Sequence, residues 1–214
     1  MCFDAIIFDL DGTLIDSAPS ILASFRLVLE EAGISPQVPL TPSLIGPPLR
    51  QTLTTISGIA PGPLLDELAA AFARIYDSTG YRATVVYTGV PELLQELAGA
   101  GVVLAIATNK RRVPTLKILE HFGWDGYFGR VGTLDTPTPP HADKGALIAA
   151  LLADLDLEPR RTLYVGDKSE DGEAADANGM NFIAAGWGYG RWEQPSLPGH
   201  WKYACLPIEI LTGR

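Results

Sequence analysis

The hydrophobic pattern along the chain predicts alternating strands and helices. Short apolar runs without helical spacing predict five buried strands, at residues 5–8, 102–107, 127–132, 163–165 and 181–185, the third being the weakest. Segments with apolar residues at helical spacing separate the later strands, at residues 90–97, 114–121 and 143–156 and in a short stretch ending at Asn178. This alternation is typical of an α/β fold with a doubly wound parallel sheet.

The stretch between the first two strands contains helical patterns and no convincing strand. Asp16 or Ser17 is placed to cap a first helix that ends near Gly33, and Pro63 opens a longer helix that ends at Gly80. A simple crossover needs only about a dozen residues or somewhat more. The extra length therefore favours an inserted helical cap domain at residues 16–80, and residues 1–15 and 81–214 would form the core domain. The alternative is a set of crossover helices within one compact domain.

The composition of the chain argues against some classes of binding partner. The chain has 214 residues, 47% of them hydrophobic, and a formal net charge of -9, which argues against non-specific nucleic-acid binding. The longest apolar run, residues 102–107, is too short to span a bilayer, so no membrane partner is expected. No secretory signal is recognised at the N-terminus, and Cys2 and Cys205 are far apart in sequence. These features predict free thiols and a cytoplasmic location.

Acidic side chains follow the first predicted strand directly. Asp9 and Asp11 flank one leucine, Thr108 ends the second strand, and Asp167 follows the fourth. Ligands bind at the carboxyl ends of parallel strands in an open α/β sheet. Two acids this close remain ionised together only if a cation or a set of donors offsets their repulsion. The pattern therefore predicts a site for a hard divalent metal.

The sequence Asp9-Leu10-Asp11-Gly12-Thr13 resembles the first motif of the haloacid dehalogenase superfamily. Three further stretches match that family in order: Thr108 at a strand end, Lys144 at a helix start, and residues 166–171, which resemble a GDxxxD motif. Within the predicted cap, residues 45–50 resemble the GxPL segment of phosphoglycolate phosphatase-like members. The resemblance covers nearly the whole chain, and it implies a Rossmann-like core with a C1-type helical cap.

The resemblance implies roles for four catalytic residues. Asp9 would be the nucleophile that forms an aspartyl-phosphate, and Asp11 would be the general acid and base. Thr108 would hydrogen-bond the phosphoryl oxygens, and Lys144 would neutralise the phosphoryl group and the Asp9 carboxylate. Lys144 matches the family motif only by position, so Lys110 is an alternative for this role.

Other residues are candidates for substrate and metal binding. We expect Thr13 to orient Asp11, Asn109 to assist Thr108, and Arg50 to bind a carboxylate or phosphate of the substrate. The resemblance also implies that Mg²⁺ is held by Asp9, by the backbone carbonyl of Asp11 and by Asp167, with Asp171 acting directly or through water. Lys168 departs from the Ser or Thr that family members usually carry after the first metal-binding Asp.

The resemblance thus implies a Mg²⁺-dependent phosphomonoester hydrolase that acts on a small phosphorylated metabolite, with phosphoglycolate as the leading candidate. A 5'-nucleotidase-like phosphatase and a β-phosphoglucomutase-like phosphotransferase remain as alternatives, as does a phospho-accepting regulatory protein. The protein would be a monomer or a homodimer. The glycine-rich segment at residues 186–190 is not a dinucleotide-binding fingerprint, because it follows the last strand, and it resembles a loop of phosphoglycolate phosphatase-like members.

Overall fold

A computed structural model describes residues 3–136, 139–192 and 197–212. Its strands are β1 (Ala5–Phe8), β2 (Ile15–Asp16), β3 (Val85–Val86), β4 (Val103–Thr108), β5 (Arg130–Thr133), β6 (Thr162–Gly166), β7 (Asn181–Ala185) and β8 (Lys202–Ala204). Its α-helices are α1 (Ala18–Glu31), α2 (Leu49–Ser57), α3 (Pro63–Ser78), α4 (Val90–Gly99), α5 (Arg112–His121), α6 (Lys144–Asp154), α7 (Ser169–Ala177) and α8 (Glu209–Thr212).

Six strands form one parallel sheet in the order β5-β4-β1-β6-β7-β8. Strand β1 lies inside this sheet, where Phe8 pairs with Ile106 on one side and with Val165 on the other. The predicted α/β fold with a parallel sheet is confirmed. The carboxyl ends of β1, β4 and β6 consequently meet at one edge of the sheet, with β1 between the other two.

Both faces of the sheet are covered, which explains why its strands are apolar without alternation. Ile6 and Phe8 belong to one buried cluster with side chains of α4 and α5, such as Leu94 and Ile118. Ile7 belongs to a second cluster with side chains of α6, such as Ile148. Successive side chains of a strand point to opposite faces, so β1 contributes to both clusters.

The helices α1, α2 and α3 pack around an apolar cluster of their own, and we call residues 18–83 the helical insert. Its centre contains Phe25, Leu53 and Phe72, and the rings of Phe25 and Phe72 lie 4.7 Å apart. The chain enters and leaves this region through an antiparallel pair, β2 and β3, in which Ile15 faces Val86. Assignment of residues 16–80 to a separate cap domain stays a prediction.

Two features of the sheet differ from the sequence prediction. The third predicted strand begins at Arg130 instead of residue 127, because Tyr127 is still part of a turn that bonds back to Trp124. The sixth strand, β8, was not predicted, since its three residues include Lys202 and carry no apolar run. It pairs in parallel with β7 at the edge of the sheet.

Cys205 is a free, exposed thiol, and Cys2 lies outside the described residues. None of the helices in the described part of the chain combines the length and apolar character needed to cross a membrane.

Candidate active site

The carboxyl edge of the sheet gathers most of the predicted site residues. Asp9 follows β1, Thr108 is the last residue of β4, and Asp167 follows β6. Lys144 opens α6, and its Nζ lies 3.0 Å from Asp9 Oδ1 and 2.6 Å from Asp171 Oδ1. These carboxylates are almost fully buried. The parallel topology therefore joins residues separated by more than a hundred positions.

A glycine turn directs the acidic segment after β1. Gly12 has a φ of +89°, in the left-handed region that favours glycine. A Cβ at this position would also collide with the carboxylate of Asp167. Because the backbone approaches so closely, Asp167 lies directly beside the segment that carries Asp9 and Asp11.

Three buried carboxylates form a cluster that fits a metal ion. Asp9, Asp167 and Asp171 each offer an oxygen, and these oxygens lie within 4.8 Å of one another. Asp167 Oδ1 is buried and has no hydrogen-bond partner among the described residues. Lys144 supplies one positive charge to three carboxylates, so a divalent cation would offset the remaining repulsion. The oxygen donors and their charge suit Mg²⁺.

The pKa values of the cluster reflect burial and the mutual repulsion of its carboxylates. Burial raises the pKa of Asp9 to about 6, against the opposing effect of Lys144. Burial, with repulsion from Asp171 and Asp9, raises the pKa of Asp167 to about 8. Burial alone would lower the pKa of Lys144, but the two carboxylates that it contacts raise it well above its usual value.

A second lysine contacts the second acid. Lys110 Nζ lies 2.9 Å and 3.1 Å from the two carboxylate oxygens of Asp11, and Tyr76 Oη of helix α3 lies 3.0 Å from the same nitrogen. The Lys110 side chain is 5% exposed. Burial would lower the pKa of Lys110, but Asp11 and Tyr76 raise it above its usual value. The structure thus places Lys144 at Asp9 and Lys110 at Asp11, and both rival lysines lie at the site.

Ser17, and not Thr13, contacts the Asp11 side chain. Ser17 Oγ donates to Asp11 Oδ1 at 2.5 Å, whereas Thr13 Oγ1 is buried without a hydrogen-bond partner among the described residues. The structure thus shows no hydrogen bond from the Thr13 hydroxyl to Asp11 among the described residues, and an orienting role of Thr13 stays a prediction. Ser17 precedes helix α1 but makes no side-chain capping bond, which leaves its hydroxyl available for Asp11.

Asn109 and Lys168 also connect this edge of the sheet to the helical insert. Asn109 Nδ2 donates to the carbonyl oxygen of Gly46 at 2.8 Å. Lys168 Nζ donates to the carbonyl oxygen of Ser43 at 3.2 Å. Lys168, the departure from the family pattern, therefore reaches from the metal-binding segment to the insert.

Arg50 lies away from these residues. Its guanidinium pairs with Asp66 of α3, and its side chain is 61% exposed. Neither cavity that reaches Asp9 is lined by Arg50. The prediction that Arg50 binds the substrate is not supported, because the side chain points along the outer surface of the insert toward a carboxylate of its own region.

Two cavities reach Asp9 from different sides. One, of about 60 Å³, lies between the insert and the sheet and is lined by Asp9, Asp11, Thr108 and Asn109 together with insert residues. The other, of about 210 Å³, is lined by Asp9, Lys144, Lys168 and Asp171 among others. Residues of the insert between positions 43 and 51 line the second cavity as well, so a phosphoryl group at Asp9 would lie against the insert in either cavity, with Lys110 lining the first and Lys144 the second.

The segment at residues 186–190 contributes to the site in a way that sequence reasoning missed. The backbone N–H groups of Tyr189 and Gly190 donate to Asp167 Oδ2 at 2.7 Å and 3.2 Å. Tyr189 Oη also accepts from the N–H of Ser17 at 2.8 Å and lies 2.9 Å from Asp16 Oδ1. This loop therefore positions Asp167 and the start of α1 together. Its alternating glycines were the available signal.

Comparison with known proteins places this geometry in a family. A sequence profile described as haloacid dehalogenase-like hydrolase matches residues 6–185. Tyrosine-protein kinase PtkA of Mycobacterium tuberculosis is 37% identical over 187 residues, which cover 87% of this chain but only 63% of PtkA. A solved structure of PtkA has a TM-score of 0.80 at 32% identity and covers 100% of this chain and 99% of that chain.

Two relatives match over more of their own length. The 5'-nucleotidase of Pseudomonas aeruginosa is 34% identical, with 86% of this chain and 83% of that protein covered. The phosphoglycolate phosphatase of Rhodobacter capsulatus is 34% identical, with 93% and 91% covered. The resemblance seen in the sequence motifs is confirmed, and so is the expectation of a hydrolase of this class. The chain belongs to the haloacid dehalogenase-like hydrolase family.

Proposed function

We propose that this protein is a Mg²⁺-dependent phosphomonoester hydrolase that forms an aspartyl-phosphate on Asp9. The observation that carries the proposal is the contact between Lys144 and the buried Asp9, beside the open carboxylate oxygen of Asp167. Phosphoryl transfer depends on positioning and on compensation of negative charge, and this cluster provides both. Membership of the hydrolase family supports the same reaction class.

In the first step, an oxygen of Asp9 bonds to phosphorus while the ester P–O bond breaks. Asp11 gives its proton to the departing oxygen. Lys144 and the donors at Thr108 and Asn109 hold the phosphoryl oxygens in place. In the second step, water attacks phosphorus, its proton passes to Asp11, and the bond to Asp9 breaks, which regenerates the carboxylate.

Asp9 and Asp167 would hold Mg²⁺, with the Asp11 backbone carbonyl as a further ligand and Asp171 as direct or indirect support. When bound, the cation neutralises the phosphoryl charge that develops during transfer. Asp171 is already engaged through both oxygens, by Lys144 and by the N–H of Lys168 at 3.0 Å. It therefore serves best by orienting Lys144 and the α7 segment.

The support for phosphoglycolate as the substrate is weaker in the structure than in the sequence. That candidate came from the family resemblance, and Arg50, the residue expected to bind a carboxylate or phosphate of the substrate, pairs with Asp66 instead. Relatives named phosphoglycolate phosphatase and 5'-nucleotidase keep both substrates in the test set.

A phosphotransferase is a second candidate, because the relative with 37% identity is named a tyrosine-protein kinase. The same residues would serve, and the acceptor would be a hydroxyl group instead of water, as also in the mutase alternative. Product analysis in ¹⁸O-labelled water separates the two. Hydrolysis places the label in inorganic phosphate, whereas transfer yields a new phosphate ester without the label.

The test of the main proposal is hydrolysis of p-nitrophenyl phosphate with and without Mg²⁺. Asp9→Asn should reduce turnover by at least about 1,000-fold, because the amide is a poor nucleophile and binds a cation weakly. Asp4→Asn is the matched control, since Asp4 is an exposed acid just before the same strand and pairs with Arg161. Retained activity in Asp9→Asn with an unchanged melting temperature would remove Asp9 from the mechanism.

A further inference from the structure

The cavity of about 60 Å³ extends from the two acids into the helical insert. Its apolar wall includes Ile21, Phe25, Ile45, Leu49, Phe72 and Pro114. Most of this wall belongs to the buried cluster of the insert, so the leaving group of a substrate bound at Asp9 would enter an apolar environment. In the proposed reaction, this cavity is the space on the Asp11 side of the phosphoryl group.

The cationic side chains of this cavity are already paired. Lys110 contacts both carboxylate oxygens of Asp11 and the hydroxyl of Tyr76. Arg111 donates through Nη1 and Nη2 to the two oxygens of Asp77 on α3, at 2.8 Å and 2.5 Å. A bidentate pair of this kind satisfies the guanidinium geometry.

A substrate carboxylate in this cavity would therefore find no unpaired cation among the lining residues. Desolvation of a charged group without a partner is costly, and the acids Asp9 and Asp11 would repel it as well. An apolar group would be transferred favourably from water to the same wall. The cavity walls therefore select among substrate groups by charge more than by shape.

We infer that the substrate is a phosphate monoester of a small, uncharged and apolar alcohol, and this inference depends on the proposed function. The apolar wall beside the two acids suits a short branched hydrocarbon group, which would be transferred there from water. Phosphoglycolate has a similar size but carries a carboxylate at the position of the apolar wall.

The test compares isobutyl phosphate with 2-phosphoglycolate, because their organic groups have the same number of non-hydrogen atoms and differ in charge. We expect kcat/KM for isobutyl phosphate to be at least about tenfold higher, the scale on which apolar pockets discriminate. Equal or higher kcat/KM for 2-phosphoglycolate would overturn the inference. So would hydrolysis of p-nitrophenyl phosphate but of neither alkyl ester.

Those outcomes leave the proposed function intact, provided that turnover requires Mg²⁺ and Asp9. Absence of hydrolysis for all three esters would instead refute the proposed function. Calorimetric titration of the Asp9→Asn protein with each alkyl ester gives a second readout that needs no turnover. The Kd for isobutyl phosphate should be the lower one, and the reverse order would contradict the inference.

Asp77→Ala tests the physical reason. This substitution frees the guanidinium of Arg111 next to the cavity, so the ratio of kcat/KM values should shift toward 2-phosphoglycolate by about tenfold. Glu31→Ala is the matched control, because it removes an acid that pairs with Arg74 on the exposed surface of the insert. If the ratio of kcat/KM values is unchanged in Asp77→Ala, the pairing of Arg111 with Asp77 is not the reason why the cavity disfavours a substrate carboxylate.

Discussion

The site contains two buried lysine–carboxylate groups that differ in which part of the chain completes them. Lys144 contacts Asp9 and Asp171, and all three residues lie on elements of the parallel sheet and its covering helices. Lys110 contacts Asp11 from the loop after β4, and its third partner, Tyr76, lies on α3 of the helical insert. The first group needs only the sheet topology, whereas the second also needs the insert to pack against it.

This difference separates two tasks of the proposed mechanism. Charge compensation at the nucleophile and the cation depends on the Lys144 group, which would persist if the insert moved away. The environment of the general acid depends on the Lys110 group, which would lose Tyr76 in that event. Closure of a lid commonly completes a catalytic site in this manner. If the two groups are separable, substitutions in one should leave the properties of the other unchanged.

The largest effect is expected from Lys144→Met. Removal of this ammonium leaves three buried carboxylates without a cation, so kcat/KM should fall by about 1,000-fold. The free energy of unfolding without Mg²⁺ should fall by about 3–5 kcal/mol, as for other broken buried ion pairs. Steady-state kinetics and urea denaturation measure the two effects.

Lys202→Met on β8 is the control for this substitution, because Lys202 is exposed at the edge of the sheet. Wild-type activity in Lys144→Met would show that the Asp9 cluster needs no ammonium, and the contrast between the two lysine groups would then have no functional meaning.

A second prediction concerns the stability of the metal-free protein as a function of pH. The pKa values of Asp9 and Asp167 are raised to about 6 and about 8 in the folded state. Between their unfolded values and these folded values the folded protein binds more protons than the unfolded chain, so stability falls as pH rises. In EDTA, the free energy of unfolding should decrease by on the order of a few kcal/mol between pH 5 and about pH 8.

Excess Mg²⁺ should remove most of this slope, since a cation stabilises the ionised carboxylates. Melting temperatures measured across the pH range with EDTA or Mg²⁺ provide the data. Asp167→Asn should flatten the metal-free profile, while the exposed Asp4→Asn should leave it unchanged. Stability that rises with pH in EDTA would contradict the raised pKa values.

The smallest effect is expected from Tyr76→Phe. The ring remains, with Lys110 Nζ 4.7 Å from its centre, and only the hydroxyl contact is lost. Lys110 keeps its contact with Asp11, so the loss should be that of an ordinary hydrogen bond, about 0.5–1.5 kcal/mol or about 2- to 10-fold in kcat/KM. The Mg²⁺ concentration for half-maximal activity should stay the same, because the hydroxyl of Tyr76 bonds Lys110 and no described hydrogen bond joins it to the Asp9 cluster.

Tyr81→Phe is the matched control, since the Tyr81 hydroxyl bonds only the side chain of Arg82 at the surface in the described contacts. A raised Mg²⁺ requirement in Tyr76→Phe would show that the insert also shapes the metal-binding group, and the two lysine groups would then act as one unit.

Several site residues were predictable because their positions follow from local pattern and topology. Asp9, Asp11, Thr108 and Asp167 each follow or end an apolar strand, and parallel strands bring those ends to one edge. The same reasoning yielded the α/β fold. Lys144 was predicted by position at a helix start, and the structure places its ammonium on Asp9.

Other features depended on contacts between distant segments. Arg50 has the right chemistry for an anion, yet it pairs with Asp66, which no local pattern links to it. Ser17 looked like a helix cap and instead donates to Asp11. Tyr189, more than a hundred and seventy residues later, accepts the N–H groups of Ser17 and Ala18.

The sequence by itself determined which residue types end the strands, since the hydrophobic period and the acidic turn after β1 are local properties of the chain. Only the tertiary structure decided which lysine faces which acid, and it also paired the cations of the cavity with protein carboxylates. The physical reason is that an ion pair depends on distances of a few ångströms between side chains, and these distances are set by packing of the whole chain.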